Sequence, residues 1–455
     1  LMAASAGYLE WEASVNYNDT FKRNASFFYK QRRNYLPSTE NLSLATFAEN
    51  YGGTISLAKS ANHSLRVTTS WRKLTIVSPT ITSQAPDNTL VGRIEYNLRA
   101  WKGVLSLSNF YEVGSGLEMK KDYTYLEVPA GQGNFTWTDY NSDGVKQLNE
   151  FENALYLDQA NYIRVWTPAN QYVKVYTNQF SESFNLRPGI KWGNSKGLKG
   201  IVGRFSDQFV YRVDRKTMSR EAIHALAPLL DDAGDTALVS LTATIRNTIV
   251  FNQLSNKFGM EFTWQDVRGK NLLTNGIESR NNKFNEVLVR WNMTRTLSLV
   301  TKYRDGIKSN SSEFFSMRNY RIRYYETEPK FSIQPGTTFR ISFLYRNSVK
   351  RNAADLGNEA AIVQKFGSEV KLSKLSKGSV DAEFNYLRIS YSGSIASAVG
   401  YEMLEGLKPG QNFTWRLSWQ RSLAQNLQLT IGYEGRKSPE VPTIHTGTAQ
   451  VRAVF

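Results

Sequence analysis

Apolar and polar residues alternate one for one in stretch after stretch of this chain. Leu9, Trp11, Ala13, Val15 and Tyr17 oppose Glu10, Glu12, Ser14 and Asn16. Ile94, Tyr96, Leu98 and Ala100 oppose Arg93, Glu95, Asn97 and Arg99, and Phe258, Met260, Phe262 and Trp264 oppose Gly259, Glu261, Thr263 and Gln265. Val287, Val289, Trp291 and Met293 oppose Glu286, Arg290 and Asn292, with Leu288 the one apolar intruder. Phe339, Ile341, Phe343 and Tyr345 oppose Arg340, Ser342 and Arg346. The pattern is cleanest near the end, where Phe413, Trp415, Leu417 and Trp419 face away from Thr414, Arg416, Ser418 and Gln420. A period of two puts each set on one face of a strand. The units run about 9–13 residues, the length a tilted membrane strand needs. They predict an all-β chain of about 20 antiparallel strands, within a range of about 16–24.

Such strands suit either a soluble sandwich, whose apolar face meets a second sheet, or a transmembrane barrel, whose apolar face meets lipid. Composition favours the barrel. Of 455 residues, 24 are Tyr, 24 Phe and 10 Trp, more than a globular core needs and suited to aromatic girdles at a membrane surface. No run of apolar residues is long enough for a spanning helix. The mean hydropathy of −0.44 is compatible with strands that are only half apolar. The absence of cysteine excludes a disulfide framework and cysteine metal sites. Leu1-Met2-Ala3-Ala4 has neither a basic n-region nor an apolar h-region, so the expectation is a mature or trimmed chain lacking an upstream region.

Connections sort themselves. Ser422–Asn426, Ser376–Gly378, Gln334–Gly336, Thr294–Thr296 and Leu254–Lys257 read as short turns. Lys437–Thr443, Ser392–Pro409, Val349–Ala361, Asp305–Phe315, Val267–Lys283 and Lys216–Asp235 read as long loops. Outer-membrane barrels have short periplasmic turns and long external loops, and a sandwich has no reason for this alternation. On this count the Trp101-Lys102-Gly103 turn falls on the external side, which breaks the pattern. Ser219–Leu230 reads as a short loop helix, capped by Ser219, with a stripe of Ile223, Leu226 and Leu229. The chain divides into barrel strands over 1–127, an external cap over 128–178, and barrel strands over 179–455.

One motif is sharp. Asp139, Asn141, Asp143, Gly144, Val145, Gln147 and Glu150 occupy positions one, three, five, six, seven, nine and twelve of an EF-hand calcium loop. Short oxygen side chains supply the first three ligands, Val145 its carbonyl, Gln147 the ninth position, and Glu150 a two-oxygen clamp. Three carboxylates in one loop repel one another unless a cation intervenes. Calcium is the expected cofactor, pinning an aromatic cap. An Asx-rich turn with no ion uses the same residue types.

Lys and Arg number 56 against 40 Asp and Glu, a net charge of +16. The basic residues are spread along strands instead of gathered in a patch, which argues against nucleic acid. Arg93, Arg99, Arg246, Arg290, Arg304, Arg340, Arg346 and Arg416 fall mostly on the polar parity, with Arg388 and Arg452, and so do Glu95, Glu261, Glu286, Glu369 and Glu383. A lumen lined this way either favours anions or is held rigid by its own ion pairs. Three histidines and no hydrolase or nucleotide motif argue against an enzyme.

Several segments then resemble a known group. Val399-Gly400-Tyr401-Glu402-Met403-Leu404-Glu405 runs into Gly406-Leu407-Lys408-Pro409-Gly410, followed by Gly435-Arg436-Lys437-Ser438, Ile444-His445-Thr446-Gly447 and Val451-Arg452-Ala453-Val454-Phe455. Together with Gly131–Glu152 they resemble large outer-membrane proteins of the Bacteroidota. The resemblance implies a Gram-negative outer membrane, a C-terminal barrel and an N-terminal region absent here, and it transfers no activity. The terminal aromatic resembles the signal read by the outer-membrane insertion machinery. The sequence therefore points to a channel or translocation pore among lipid and partner envelope proteins. The alternative is a non-conducting scaffold of an outer-membrane assembly.

Overall fold

The computed structural model describes residues 6–19, 23–38, 41–60, 62–84, 86–218, 237–273, 276–374, 378–424 and 426–453. Phe455, the opening residues and the loop helix expected at Ser219–Leu230 lie outside them. Alternating β-branched, aromatic and polar residues form strands because each pleated face can then meet a different medium. In chain order they are β1 (Gly7–Asn18), β2 (Arg23–Pro37), β3 (Leu42–Ser60), β4 (His63–Ile76), β5 (Asp87–Ala100), β6 (Leu105–Glu127) and β7 (Phe135–Trp137). Next come β8 (Phe151–Asn153), β9 (Tyr162–Leu186), β10 (Phe205–Thr217), β11 (Leu238–Phe251), β12 (Phe258–Leu273), β13 (Gly276–Asn292) and β14 (Leu297–Ser312). The last are β15 (Tyr320–Ile333), β16 (Phe339–Asn352), β17 (Ala360–Lys374), β18 (Gly378–Ser392), β19 (Gly410–Ala424), β20 (Leu427–Lys437) and β21 (Ile444–Ala453). Helices are few: α1 (Gly189–Trp192), α2 (Leu198–Val202) and α3 (Ala398–Leu404). No helix among the described residues is long and apolar enough to cross a membrane.

The chain forms two compact units, one of Leu1–Lys120, Ala169–Asn247 and Val267–Leu272, the other of Lys121–Pro168, Thr248–Asp266 and Leu273–Phe455. In the first, β1 to β6 follow one another as an antiparallel meander, and β9 pairs with β10. The register lines up rings on one face. Trp11, Tyr29, Tyr51 and Trp71 make a row across β1 to β4 with centroid separations of 5.0, 4.7 and 5.5 Å. Such a level row of amphipathic rings is the form of an interfacial girdle.

In the second unit β13 to β21 also pair consecutively and antiparallel. A second row of rings, Tyr345, Phe366, Tyr386 and Phe413, crosses β16 to β19 with separations of 4.7, 6.4 and 5.4 Å. The opposite face is covered at one end by α3. Its Val399 and Met403 pack on Ile322 and Ala361, and Leu404 and Leu407 pack on Val363, Leu387 and Ile389.

Gln334–Gly336, Thr294–Thr296 and Leu254–Lys257 fall between strands, whereas residues 376–377 and 425 of the other two expected turns lie outside the described residues, and several long loops are shorter than expected. Val267–Lys283 is mostly strand, because β12 runs to Leu273 and β13 starts at Gly276. Asp305–Ser312 belongs to β14, and Val349–Asn352 to β16. The cap is likewise shorter than 128–178, since β9 begins at Tyr162. The physical reason is common to all four. Where a strand runs past the apolar band, both faces meet water, so alternation disappears while the backbone ladder continues, as in Glu278↔Ser312 and Tyr176↔Thr217.

The Trp101–Gly103 turn is also reassigned. Leu105–Glu127 is one continuous strand, where two would be needed to put that turn on the external side. Arg187 N donates to Val104 O at 2.7 Å, so the turn shares its end of the unit with the helical connection to β10.

Candidate functional site: an ion-paired strand face and its cap

In the second unit the usual exposure of a soluble protein is inverted. Phe343 is 49%, Phe366 52% and Phe384 48% exposed, all on one face. On the other face Ser342 is 1%, Asn412 0% and Arg436 8% exposed. A contiguous exposed apolar face backed by a sheltered polar one is unstable in water and stable only where the first face meets lipid. These strands are membrane-crossing elements, and the chain is a protein of the Gram-negative outer membrane.

The sheltered face is laced with ion pairs set by strand register. Arg304 lies opposite Glu326 and pairs with Glu286 at 2.5 Å. Lys302 reaches Glu328 at 3.0 Å, Lys330 reaches Glu369 at 2.5 Å, and Lys371 reaches Asp381 directly across at 3.1 Å. Lys365 pairs with Glu383 at 3.4 Å, and Arg416 with the opposing Glu434 at 3.1 Å. Cross-strand opposite charges of this kind stabilise the sheet they belong to.

Two elements bring further charge to this face. Glu405 ends α3 with a left-handed backbone, φ 56°, and Gly406 follows at φ 71°. That conformation is unfavourable for a side chain other than Gly or Asn. It aims the carboxylate at Arg346 Nη2, 2.5 Å away, and at Lys350 Nζ, 2.8 Å away. Burial alone would raise the Glu405 carboxyl, but the Lys350 and Arg346 charges outweigh it and bring it down from 4.5 to about 2.

The second element is the cap, residues 128–161. Its core is aromatic: Phe151 stacks on Tyr125 at 4.0 Å and meets Tyr162 edge-on at 5.0 Å. Arg164 lies over the Tyr123 and Phe135 rings at 4.8 and 4.9 Å. Three side chains on the side of the strands and α3 hold the cap. Arg318, 2% exposed, donates to Phe151 O at 3.2 Å and to Glu152 Oε1 at 3.1 Å. Tyr401 Oη donates to Asn153 O at 3.1 Å. Arg436 donates to Asp158 Oδ2 at 2.6 Å, and its guanidinium lies 4.3 Å over the Tyr156 ring. Burial pushes the Glu152 carboxyl up against the pull of Arg318, raises the Tyr140 phenol, and carries Tyr156 and Tyr401 to about 12, so the phenols stay neutral.

A cavity of about 250 Å³ opens where cap and strands meet. Arg346, Lys365, Arg416 and Arg436 line it together with Asp158, Glu383, Glu405 and Glu434. Each cation has one of those four carboxylates as its partner. The cavity is polar, charged and close to electrically balanced.

The calcium-type loop folds as a series of turns around Asp143. Gly144 N donates to Asp139 Oδ2 at 2.9 Å, Val145 N to Asp143 Oδ1 at 2.7 Å, and the Asn141 and Gln147 amides to Asp143 Oδ2 at 2.8 and 2.6 Å. Glu150, 0% exposed, accepts from Trp137 Nε1 at 2.8 Å, from Gln147 N at 3.2 Å and from Tyr140 N at 3.2 Å. Asp139 Oδ1 is buried with no hydrogen-bond partner among the described residues. No three His, Cys, Asp or Glu groups among the described residues gather closely enough to hold an ion.

The basic residues singled out in sequence separate into classes. Arg304, Arg346 and Arg416 belong to the ion-paired face described above. Arg93, in the first unit, pairs with Glu112 at 2.5 Å. Arg290 is a turn anchor, donating to Ser255 O at 2.9 Å. Arg99 and Arg340 are exposed and have no acidic partner among the described residues, while Arg246 is engaged with neighbours. Arg318, Arg436, Asp158, Lys350 and Glu405 were not foreseen as a group. Only Glu405-Gly406, a charged residue before glycine at a helix end, signalled it. His63 and His445 each contact a tyrosine hydroxyl, of Tyr96 at 3.2 Å and Tyr433 at 2.8 Å.

No family model and no curated protein matches the sequence. Among solved structures the chain is similar to the siderophore receptor PirA from Acinetobacter baumannii, at a TM-score of 0.40 and 8% identity, over 98% of this chain and 73% of that one. It is also similar to an anion-selective porin from Comamonas acidovorans, at 0.29 and 10%, over 86% and 93%. A third is the copper transporter OprC, at 0.38 and 10%, over 94% and 74%. Likenesses at this level carry no residue and no activity over to this chain.

Proposed function

We propose that the chain closes into a transmembrane β-barrel and works as a channel or translocation pore of the outer membrane, together with partner envelope proteins. Closure follows from chemistry, because lipid cannot satisfy the backbone groups of an open strand edge. The supporting observation is the charged cavity held between Tyr156 and Asp158 of the cap and Arg346, Arg416 and Arg436 of the strands. A face that only held a wall together would have no need of a cap seated on it. Pairing of every cation in the cavity favours a rigid wall with modest charge selectivity over a strongly anion-attracting lumen.

Calcium in the Asp139–Glu150 loop belongs to the same reading. The orphaned buried oxygen of Asp139 and the Asp143 carboxylate, which now collects two side-chain amides and the Val145 N–H, are the donors a hard cation takes. Asp139, Asn141, Asp143, Gln147 and Glu150 with the Val145 carbonyl would draw together to hold it, and the ion would fix the cap without taking part in chemistry. The protein is read as non-catalytic.

Planar-bilayer conductance tests the pore. The full chain should give small or rare openings, and Arg436→Ala, which releases the cap, should give larger and more frequent ones. Silence from both proteins, with each shown to be inserted, would sink the pore and leave the scaffold of an envelope assembly. The thorough pairing of the wall is the observation that favours that second reading.

A further inference from the structure

Arg187–Arg204 joins β9 to β10 at the end of the first unit that also holds the Trp101–Gly103 turn. Its residues include Arg187, Lys191, Lys196, Lys199 and Arg204 and not one Asp or Glu. All five are exposed and have no acidic partner among the described residues. Between them stand large apolar side chains turned outward: Ile190 at 56%, Leu198 at 81%, Ile201 at 52% and Val202 at 44% exposure. A surface connection has no reason to gather unopposed positive charge and outward apolar side chains in one short segment.

The reason they are outward is visible in the backbone. α1 and α2 dock through glycines. A Cβ on Gly189 would lie 2.7 Å from Gly203 O, one on Gly203 2.7 Å from Trp192 O, and one on Gly200 2.1 Å from Ser195 O. Main chain packs on main chain at these points, and Ile190, Leu198, Ile201 and Val202 are left outward. The hairpin is anchored to the strand end through Arg187 N to Val104 O. Beside it Trp101 is 67% exposed, and both Trp101 and Lys102 hold left-handed backbone, φ 52° and 59°. Two consecutive non-glycine residues in that region are unfavourable.

We infer that Arg187–Arg204 and Trp101–Lys102 form an anchor that lies in the headgroup region of the leaflet at this end of the strands and binds anionic phospholipid. The inference rests on the outer-membrane reading. Apolar side chains enter the acyl boundary, tryptophan takes the interface, and lysine and arginine meet phosphate. Position at a strand end and an unopposed positive charge favour lipid over a second copy of this chain, which would bring the same charge to the contact.

The chain has no cysteine, so single labels can be placed freely. The full chain in nanodiscs would carry a bimane label at Leu198→Cys, Ile201→Cys or, as a solvent control, Asn194→Cys, with a lipid-borne quencher. Phe343→Cys, on the exposed strand face, tests the membrane reading itself. In phosphatidylethanolamine with phosphatidylglycerol, labels at 198 and 201 should be quenched and the one at 194 much less. Lys191→Gln/Lys196→Gln/Lys199→Gln should lose the preference for phosphatidylglycerol over phosphatidylcholine. Quenching at 343 with water exposure at 198 and 201 overturns the anchor and keeps the membrane reading. Labels shielded from both water and lipid overturn it in favour of a protein contact. No quenching at 343 overturns both.

Discussion

Arg436 of β20 donates to Asp158 Oδ2 across 2.6 Å, joining a strand to a cap residue 278 positions earlier. The same guanidinium covers the Tyr156 ring. At this point cap and wall are joined by one side chain through two contacts. Arg436→Ala removes both contacts, and a hydrogen bond between charged groups contributes about 1.5–3 kcal/mol. Amide hydrogen exchange at 154–161 should accelerate, while exchange in β16 to β19 stays unchanged. Unaltered exchange at 154–161 would mean that Arg318 and Tyr401 hold the cap without it.

Glu405 makes the seating of α3 on the strands sensitive to acid. Its carboxyl sits at about 2 in the folded chain against 4.5 when free. A depressed carboxyl contributes stability that is fully present above the free value and lost as pH falls through the folded one. The link between α3 and Arg346 and Lys350 should hold above pH 5 and weaken between about 4.5 and 2. Glu405→Gln should reproduce the acid-weakened state at neutral pH. Thermal denaturation followed between pH 7 and 3 checks this, and the variant should lose the pH dependence over that range.

Calcium should show itself in the cap and nowhere else. Limited proteolysis within 135–153 should slow with calcium and quicken with chelator, and Asp143→Ala should remove the difference. A difference that survives in Asp143→Ala would place the ion at some other site. No difference in the unaltered chain would leave an Asx-rich turn.

Leu417, 42% exposed, is at the middle of β19 on the apolar face. Leu417→Arg puts a charge where lipid should be, at a cost of about 2–4 kcal/mol near the bilayer midplane. Folding into vesicles, followed by heat-modifiable gel mobility, should fall sharply. Gln420→Arg, on the polar parity, should fold like the parent. Equal yields from the two variants would contradict the assignment of faces.

How far the sequence could be read is clearest in particular residues. Phe413, Trp415, Leu417 and Trp419 announced a strand and its two faces, because a period of two has no other structural meaning. The turn at Thr294–Thr296 was legible for a similar reason, since polar turn residues interrupt the alternation there. Asn281 and Asn282 were misread as loop, because beyond the apolar band a strand leaves no side-chain signature. Asp139 to Glu150 was legible as a motif, whereas the anchoring of the surrounding cap was not.

The sequence by itself determined the strands, their apolar and polar faces and the membrane as their solvent, since these depend on near neighbours and on side-chain chemistry. Tertiary structure alone decided that Asp158 would meet Arg436, that Glu405 would turn through a left-handed residue to Arg346 and Lys350, and that Gly189 and Gly203 would join two helical turns by their backbones. Those contacts are made between residues far apart in the chain or through local backbone geometry, and neither distance in space nor a backbone angle is written in the order of side chains.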